Sequence, residues 1–462
     1  MSRLLATSFI TPVHGIRMHW KIRPRQLASV AIVAGLALAI AACGTYGQNY
    51  PNSTFNHTTE FNTQIRELWD KLLFWGTLVF VVVEAILIYT IIKFRRRSEN
   101  DEPKHVHGNT ALEITWTLAP ALILVVIAIP TVRTIFATQA RAVPNALQVE
   151  VIGHQWWWEF RYPQYTQQGA TGRTDTLVTA NDLYLPIGRT VNFTLRTKDV
   201  LHSFWIPQLG GKRDLITNHT NYLWFTPDTS LKTSVYNGSC NEYCGASHAN
   251  MRFRTFVVTQ QEFDGWVQHQ LTPAAVGVAP PAPAAPAQDT TRRPAGGATQ
   301  TAAAPSAPQV TPVAATQPSP AGYTFPMDQL PDHATPDTPV PTGLTFDDNI
   351  QGDAGRGAET FGRSACIGCH AVRGNPAAVS PIGPNLTHIG SRSTIGAGIF
   401  PNDTRHLRLW IKNARLMKPG VSMPTLGMGQ RDPITGATVT QGLGGLTDQQ
   451  IADIVAYLQA LR

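Results

Sequence analysis

Two long apolar segments limit most strongly what this chain can fold into. They span about residues 72–92 and 114–135, and each can cross the roughly 30 Å hydrocarbon core of a bilayer as a helix of about 20 residues. A basic segment at residues 93–97 follows the first of them. Because basic loops tend to stay on the cytoplasmic side, we expect both outer ends of the pair to face outward. The sequence therefore predicts a transmembrane helical hairpin over residues 61–137.

The charge of the chain agrees with a membrane protein. Charged residues make up only 15% of the sequence, which is low for a soluble protein. The net charge of +7 could indicate nucleic-acid binding. However, much of the basic excess lies near the N-terminus and beside the apolar segments, a placement typical of membrane topology. We therefore expect the membrane, and no nucleic acid, as a partner.

The N-terminal segment, residues 1–42, has the pattern of an export signal. A basic stretch precedes an apolar run over residues 27–42, and small residues stand directly before Cys43. This arrangement resembles a bacterial lipoprotein signal, which predicts a lipid on Cys43 at the mature N-terminus. An ordinary signal, or a third membrane helix with a chance cysteine, is the alternative. Export agrees with the outward-facing ends of the hairpin.

The rest of the chain divides into three segments of different composition. Residues 145–270 contain short β-rich runs separated by turn residues, which predict a β-sandwich or barrel. Residues 271–343 are dominated by Ala, Pro, Thr and Gln. Such a composition buries too little apolar surface to order itself, so it predicts a disordered linker. Residues 344–462 carry apolar positions at helical spacing, most clearly over residues 447–461, and predict a helical domain.

A cluster of possible metal ligands lies within residues 240–251. Cys240, Cys244, His248 and Met251 offer thiolate, imidazole and thioether groups, which together suit copper. His202 adds an upstream imidazole. A blue-copper site uses one cysteine, so the second cysteine could supply a second bridging thiolate for two copper ions. A zinc site could also use two cysteines, but the histidine and methionine fit structural zinc poorly.

The same residues carry a family resemblance. The sequences LHSFWIP around His202, CNEYCGASHANM from Cys240 and GHQWWW from Gly153 resemble the CuA domain of cytochrome c oxidase subunit II. The resemblance extends over about residues 61–266. It implies a cupredoxin-like β-sandwich that holds a binuclear copper centre. The ligands it implies are His202, Cys240, the main-chain carbonyl of Glu242, Cys244, His248 and Met251.

Three further roles are implied by this resemblance. The side chain of Glu242 would reach a magnesium ion shared with subunit I. Trp156, the first tryptophan of the triplet, would receive the incoming electrons. Glu113, directly before the second apolar segment, would feed a proton-uptake path. A carboxylate within a membrane is often functional, but at this edge position Glu113 could also simply be solvated.

A haem-attachment motif lies in the helical domain. Cys366, Cys369 and His370 form the C-x-x-C-H pattern of c-type haem attachment, in which the histidine is one axial ligand. The sixth ligand should be Met or His, and Met raises the reduction potential. The pair at residues 423–424 resembles the Met-Pro loop of class I cytochromes c, which implies Met423 as that ligand, with Met428 as the alternative. This resemblance covers about residues 353–462 and implies an all-α cytochrome c domain.

Together the two resemblances imply the electron-input subunit of a haem-copper terminal oxidase. Electrons from a cytochrome c donor would pass through haem c and the copper pair to subunit I, which holds haem a and CuB and reduces oxygen. Subunit III is a further expected partner. The expected location is the bacterial cytoplasmic membrane, with both soluble domains on the periplasmic side. The alternatives are a CuA-bearing subunit of a nitric oxide reductase and a membrane-anchored copper-delivery module.

Overall fold

The computed structural model describes residues 50–99, 107–139, 145–168, 174–274 and 322–462, together with Gly35 and Glu102. The predicted lipidation site Cys43 and, apart from Gly35, the predicted signal segment 1–42 lie outside the described residues. The central part of the predicted linker, residues 275–321, also lies outside them. The chain divides into the units Met1–Tyr50 and Pro51–Arg462, and the elements below belong to the second unit.

Two long helices form the predicted hairpin. Helix α1 spans Glu60–Phe94 and helix α2 spans Thr110–Gln139, with Pro120 and Pro130 inside α2. Both are long and apolar enough to cross a membrane, and their large apolar side chains are mostly exposed on the protein itself. Because such a surface is stable against lipid and not against water, the prediction of two membrane-spanning helices is confirmed.

Helix α1 begins directly on the soluble domain. Thr59 is its N-cap and accepts a hydrogen bond from the main-chain nitrogen of Asn62. The Thr59 hydroxyl donates to the carbonyl of Leu209 at 2.7 Å, and the Asn62 amide donates to the carbonyl of Pro207 at 3.1 Å. These buried bonds attach the first turn of the membrane helix to the loop after the strand that begins at His202.

The soluble domain after the hairpin is a sandwich of two five-stranded sheets. One sheet has the strand order β3-β2-β1-β5-β8 and the other the order β4-β10-β9-β6-β7. The strands are β1 (Leu147–His154), β2 (Trp157–Gln168), β3 (Thr174–Ala180), β4 (Asp182–Pro186), β5 (Val191–Thr197), β6 (His202–Trp205), β7 (Arg213–Leu215), β8 (Asn221–Phe225), β9 (Ser234–Cys240) and β10 (Arg252–Val258). Helix α3 (Gln260–Leu271) follows, with a capping box formed by Thr259 and Glu262.

Aromatic side chains fill the space between the sheets. Trp158, Phe160, Phe204 and Phe253 are fully buried, and the rings of Phe204 and Phe253 stack with their centroids 5.0 Å apart. A side chain at Gly238 would lie 2.1 Å from the Phe253 ring, so only glycine fits there. Alternation of buried and half-buried residues along β1 and β5 confirms the predicted β-sandwich.

Residues 322–343 belong to the predicted linker, yet they pack against the sandwich. Phe325 is buried and its ring lies 5.3 Å from that of Phe256. Ala334 is fully buried, and its carbonyl accepts a hydrogen bond from Arg254 at 2.7 Å. Composition hides these few anchoring residues, because the surrounding Pro and Thr residues match a disordered segment. The packed part of the chain therefore includes about twenty residues before the predicted boundary at residue 344.

The C-terminal domain is helical, as predicted. Its helices are α4 (Ala354–Arg363), α5 (Thr404–Met417) and α6 (Asp448–Ala460), and the short strands β11 (Thr394–Ile395) and β12 (Phe400–Pro401) form a small ladder. Helix α4 crosses α6 closely, and the guanidinium of Arg356 donates to both carboxylate oxygens of Asp453 at 3.0 and 2.8 Å. Short 3-10 turns lie at His248–Asn250, Met327–Gln329, Asp332–Ala334, Ala365–Gly368, Ile389–Ser391 and Gln441–Leu443.

Candidate functional site

Strand pairing brings the candidate metal ligands together. Strand β6 begins at His202 and β9 ends at Cys240, and the two strands are antiparallel neighbours with Phe204 opposite Cys240. The chain then forms the loop 241–251 and returns as β10, which pairs with β9 from Arg252. Both ends of the loop are therefore held by the same strand, and the loop lies at the end of the central strand of its sheet.

The two cysteine sulfurs form the centre of the cluster. Cys240 Sγ and Cys244 Sγ lie 3.7 Å apart as free thiols. His202 Nδ1 is 3.8 Å from Cys240 Sγ, and His248 Nδ1 is 3.6 Å from Cys244 Sγ. The hydrogen bond between the two sulfurs lowers the pKa of Cys240. The cluster therefore favours a thiolate, which is the form of cysteine that binds a metal.

Two weaker donors complete the set. Met251 Sδ lies 3.8 Å from Cys244 Sγ, and the main-chain carbonyl oxygen of Glu242 lies 3.2 Å from Cys240 Sγ. His202 and Met251 are fully buried. The structure thus gathers around one sulfur pair all six donors named from the sequence. Two thiolates, two imidazoles, a thioether and a carbonyl form a donor set that suits copper.

Asp199 orients one of the imidazoles and was not identified from the sequence. Its carboxylate lies 2.8 Å from His202 Nε2, which leaves Nδ1 directed toward Cys240. Burial raises the pKa of Asp199, but hydrogen bonds from His202 and from the main-chain nitrogen of Gln155 outweigh this effect and leave the pKa below its ordinary value. An acid three residues before a ligand histidine is a weak sequence signal, although carboxylate support of ligand histidines is common.

Trp156 contacts the loop at residues 241–251, called the metal loop below, directly. Its indole nitrogen donates to the carbonyl of Cys244 at 2.9 Å, and the side-chain amide of Gln155 donates to the same oxygen at 2.8 Å. Trp158 lies deeper, with its indole nitrogen 3.4 Å from the carbonyl of Met251. Two tryptophans of the triplet thus hold the loop, and Trp156 alone of these two also reaches the cytochrome cavity described below.

The side-chain carboxylates of Glu242 and Glu113 are not part of the sulfur cluster. The Glu242 side chain is exposed on the outer face of the loop, beside Tyr243, which is 75% exposed. Glu113 lies in the first turn of α2, and its main-chain nitrogen donates to the carbonyl of Asn109. Both carboxylates are therefore available to groups outside the chain.

The haem-attachment motif forms a compact turn beside a cavity. The turn Ala365–Gly368 closes with hydrogen bonds from the main-chain nitrogens of Cys369 and His370 to the carbonyl of Cys366. His370 Nδ1 donates to the carbonyl of Pro384 at 2.8 Å, so Nε2 remains for a metal. Burial lowers the pKa of His370, which favours the neutral ring that a metal ligand must be.

The cavity lies between the two soluble domains, and residues of both line it. It has a volume of about 340 Å³ and is lined by Cys366, Cys369, His370 and Met423. Trp156 and Trp157 of the sandwich also line it. A cavity that contains the two cysteines, the histidine and Met423 fits a haem. The alternative ligand Met428 is 39% exposed.

Three protein-family profiles match successive parts of the chain. Residues 47–134 match the transmembrane domain of cytochrome c oxidase subunit II, and residues 147–258 match its periplasmic domain. Residues 354–462 match cytochrome c. The matched ranges coincide with the helical hairpin, the sandwich and the C-terminal helical domain.

Whole relatives share this arrangement. The cytochrome c oxidase subunit 2 of Alkalihalophilus pseudofirmus is 30% identical over 391 residues, which cover 83% of each chain. That of Bacillus subtilis is 27% identical over 424 residues, which cover 88% of this chain and 92% of the relative. Among solved structures, the periplasmic domain of subunit II of cytochrome oxidase from Bradyrhizobium japonicum is 29% identical, covers 28% of this chain and 95% of that one, and has a TM-score of 0.23.

These matches confirm several predictions. A copper-site domain and a haem-binding cytochrome c domain both stand on a membrane anchor, outside the bilayer of a bacterial cell. Their role is electron transfer within an oxidoreductase complex. The chain therefore belongs to the cytochrome c oxidase subunit 2 family, with a cytochrome c domain fused at its C-terminus.

Proposed function

We propose that this chain is the electron-input subunit of a haem-copper terminal oxidase. Electrons from a cytochrome c donor arrive at haem c, continue to a binuclear copper centre and leave for subunit I, where oxygen is reduced. The observation that carries the proposal is the position of Trp156. This residue lines the cavity of the cytochrome motif and is hydrogen-bonded to the main chain of Cys244 in the sulfur cluster.

The copper pair would be held by the six donors around the sulfur pair. When bound, copper would supply one-electron chemistry at this site, and the thiolates of Cys240 and Cys244 are the central residues that would hold it. The chain contributes burial and stiffness: His202 is held by Asp199, and the loop is held at Cys244 by Trp156. Ligands that cannot move keep the structural change on reduction small.

Haem c would be attached through thioethers at Cys366 and Cys369, and His370 and Met423 would hold its iron. Its contribution is one-electron chemistry at a potential that a methionine ligand raises. The hydrogen bond from His370 to Pro384 sets the orientation of the ring. Apolar residues around the cavity, among them Leu386 and Ile411, limit the access of water.

Contacts with partner subunits would use the surfaces that the chain leaves exposed. The Glu242 carboxylate, on the outer face of the metal loop, would reach a magnesium ion shared with subunit I, which holds haem a and CuB. The apolar faces of α1 and α2 would pack against subunits I and III. Glu113, at the cytoplasmic end of α2, would pass protons toward subunit I. A Glu113→Ala enzyme with unchanged turnover and proton uptake would contradict that role.

The N-terminal part of the proposal concerns export. Residues 1–42 would be removed as a signal, and Cys43 would carry a lipid that adds a second anchor to the hairpin. Mass spectrometry of the mature N-terminus tests this directly. A lipid mass on Cys43 is the expected result, and an intact N-terminus or an unmodified Cys43 would contradict it.

Optical and electron paramagnetic resonance spectra of the purified complex test the main proposal. We expect a mixed-valence two-copper signal and low-spin c-type haem bands, with oxygen uptake driven by reduced cytochrome c. Cys244→Ser should remove the two-copper signal and leave the haem bands. A single labile copper would support a copper-delivery module instead. Reduction of nitric oxide without oxygen uptake would support a nitric oxide reductase subunit.

A further inference from the structure

The cytochrome domain contacts the sandwich beside the metal loop, residues 241–251. The carbonyl of Ala397 accepts a hydrogen bond from the main-chain nitrogen of Arg252 at 3.1 Å, one residue after Met251. The carbonyl of Gly398 accepts from the Arg254 guanidinium, also at 3.1 Å. The carbonyls of consecutive cytochrome residues therefore bond to the strand that leaves the loop, so this face of the sandwich is occupied by the chain's own domain.

A second contact involves the segment that carries Met423. The hydroxyl of Ser247, next to His248, donates to the carbonyl of Pro419 at 2.6 Å. The following residue, Gly420, has a φ of +85°, and a side chain there would lie 2.8 Å from the Trp156 ring. The loop at residues 418–423 thus approaches Trp156 as closely as a bare main chain allows.

Lys418 connects these two contacts. Its ammonium group donates to the carbonyl of Trp156 at 2.7 Å and to the carbonyl of Gly396 at 2.8 Å. The residue is only 1% exposed, and burial lowers its pKa to about 7. Burying a lysine is costly, and the two carbonyls, one from each domain, compensate for the hydration that Lys418 Nζ loses.

We propose that Lys418 is a positioning residue for electron transfer between the two domains, because its buried ammonium group holds the 418–423 loop against Trp156. The inference rests on the proposed transfer from haem c to copper. Lys418 acts through Trp156 and Gly396 and lies outside the proposed ligand sets. With the loop held, the cytochrome domain covers Trp156, and a detached cytochrome c is excluded from it.

The test uses the complete chain assembled with its partner subunits. Lys418→Met keeps the length of the side chain and removes the charged donor. Lys232→Met is the matched control. It removes an exposed lysine of the sandwich domain that takes no part in this contact. Lys418→Arg restores a charged donor. An electron is injected into haem c by a light flash, and its arrival at copper is followed optically.

We expect Lys418→Met to slow the transfer from haem to copper by about tenfold. The loss of two hydrogen bonds lowers the population of molecules in which the 418–423 loop lies against Trp156. Steady-state kcat with a soluble donor should fall while kcat/KM for that donor is unchanged, because the reduction of haem c by the donor is not altered. Reduction of copper by detached cytochrome c should become faster, since Trp156 is uncovered. Lys418→Arg should recover part of the loss, and Lys232→Met should match the wild type.

Hydrogen exchange separates positioning from general unfolding. Peptides covering residues 418–423 and 153–158 should exchange about tenfold faster in Lys418→Met, while α6 stays protected. If α6 also loses protection, Gly420→Ala decides, because it displaces the same loop and leaves the ammonium group in place. Slower transfer in that variant with α6 protected supports the positioning role.

Wild-type transfer and exchange in Lys418→Met would overturn the inference. The same holds for wild-type transfer in Gly420→Ala if the lysine variant unfolds. Failure of the proposed function looks different, because the wild-type chain itself would then show no transfer from haem to copper. In that case the exchange of residues 153–158 still decides whether Lys418 holds the loop against Trp156.

Discussion

Gly357 in α4 lies directly against the main chain of α6. A side-chain carbon at this position would be 2.0 Å from the carbonyl oxygen of Asp453 and 2.5 Å from its carbonyl carbon. Ordinary contact needs a separation of well over 3 Å, so an alanine here must push the helices apart by about 1 Å. Because both obstructing atoms are main chain, rotation of a side chain cannot relieve the contact.

The magnitude follows from two opposing effects. Alanine favours a helix over glycine by about 1 kcal/mol, whereas overpacking a close contact costs about 1–3 kcal/mol and more where the main chain must move. Gly357→Ala should therefore lower the free energy of unfolding of the cytochrome domain by about 2 kcal/mol. Gly362 lies in the same helix with nothing within 4 Å of the added carbon, so Gly362→Ala should raise it by about 0.5–1 kcal/mol.

The assay is urea unfolding of the haem-loaded complex, followed by the absorption spectrum of the haem. The two variants should shift the midpoint in opposite directions with similar slopes. Equal shifts in the same direction, or an unchanged midpoint in Gly357→Ala, would refute the claim that this glycine is required by the crossing of α4 and α6. Haem content per chain serves as the control for complete loading.

Three other predictions concern the site. Asp199→Asn should weaken copper retention about 10–100-fold, measured by competition with a chelator, because it replaces the charged acceptor that orients His202 by a neutral amide; copper binding equal to wild type would exclude that role. Trp156→Phe keeps an aromatic ring but loses the bond to Cys244, so transfer from haem to copper should slow while both spectra persist; an unchanged rate would count against Trp156 as the connection. Burial, with His269 and Arg373 nearby, lowers the pKa of His388 to about 4, below the roughly 6.5 of an unfolded chain. The contribution of the neutral ring to the free energy of unfolding is therefore complete above pH 6.5 and is lost as the pH falls toward 4, by about 2 kcal/mol at pH 5. A comparison of the urea midpoints at pH 5 and 7.5 should show this loss, and His388→Gln should reduce it.

The sequence was sufficient for the local features. Long apolar runs beside basic residues specify membrane helices because the bilayer permits few other structures. The C-x-x-C-H motif is equally local, since its turn closes through hydrogen bonds among Cys366, Cys369 and His370. The cysteine loop was recognisable because four of the proposed side-chain donors lie within residues 240–251, and the chain brings them together at the end of the central strand of one sheet.

Other features could not be read from the order of residues. The anchoring of residues 322–343 depends on Phe325 and Ala334 finding sites on the sandwich. Asp199 became recognisable as the support of His202 only through its 2.8 Å distance from Nε2. In each case a common residue acquires its role from a partner that the sequence does not mark.

The order of residues alone predicted the membrane hairpin and the two soluble modules, because each is encoded over a continuous stretch of chain, and the family resemblance of that order implied the proposed ligands. Only the tertiary structure decided where the cytochrome domain lies. Lys418 and Trp156 are 262 residues apart in sequence, yet Lys418 Nζ lies 2.7 Å from the carbonyl oxygen of Trp156. Such a contact depends on the simultaneous folding of two domains and on glycines that admit a close approach, and no local pattern records either condition.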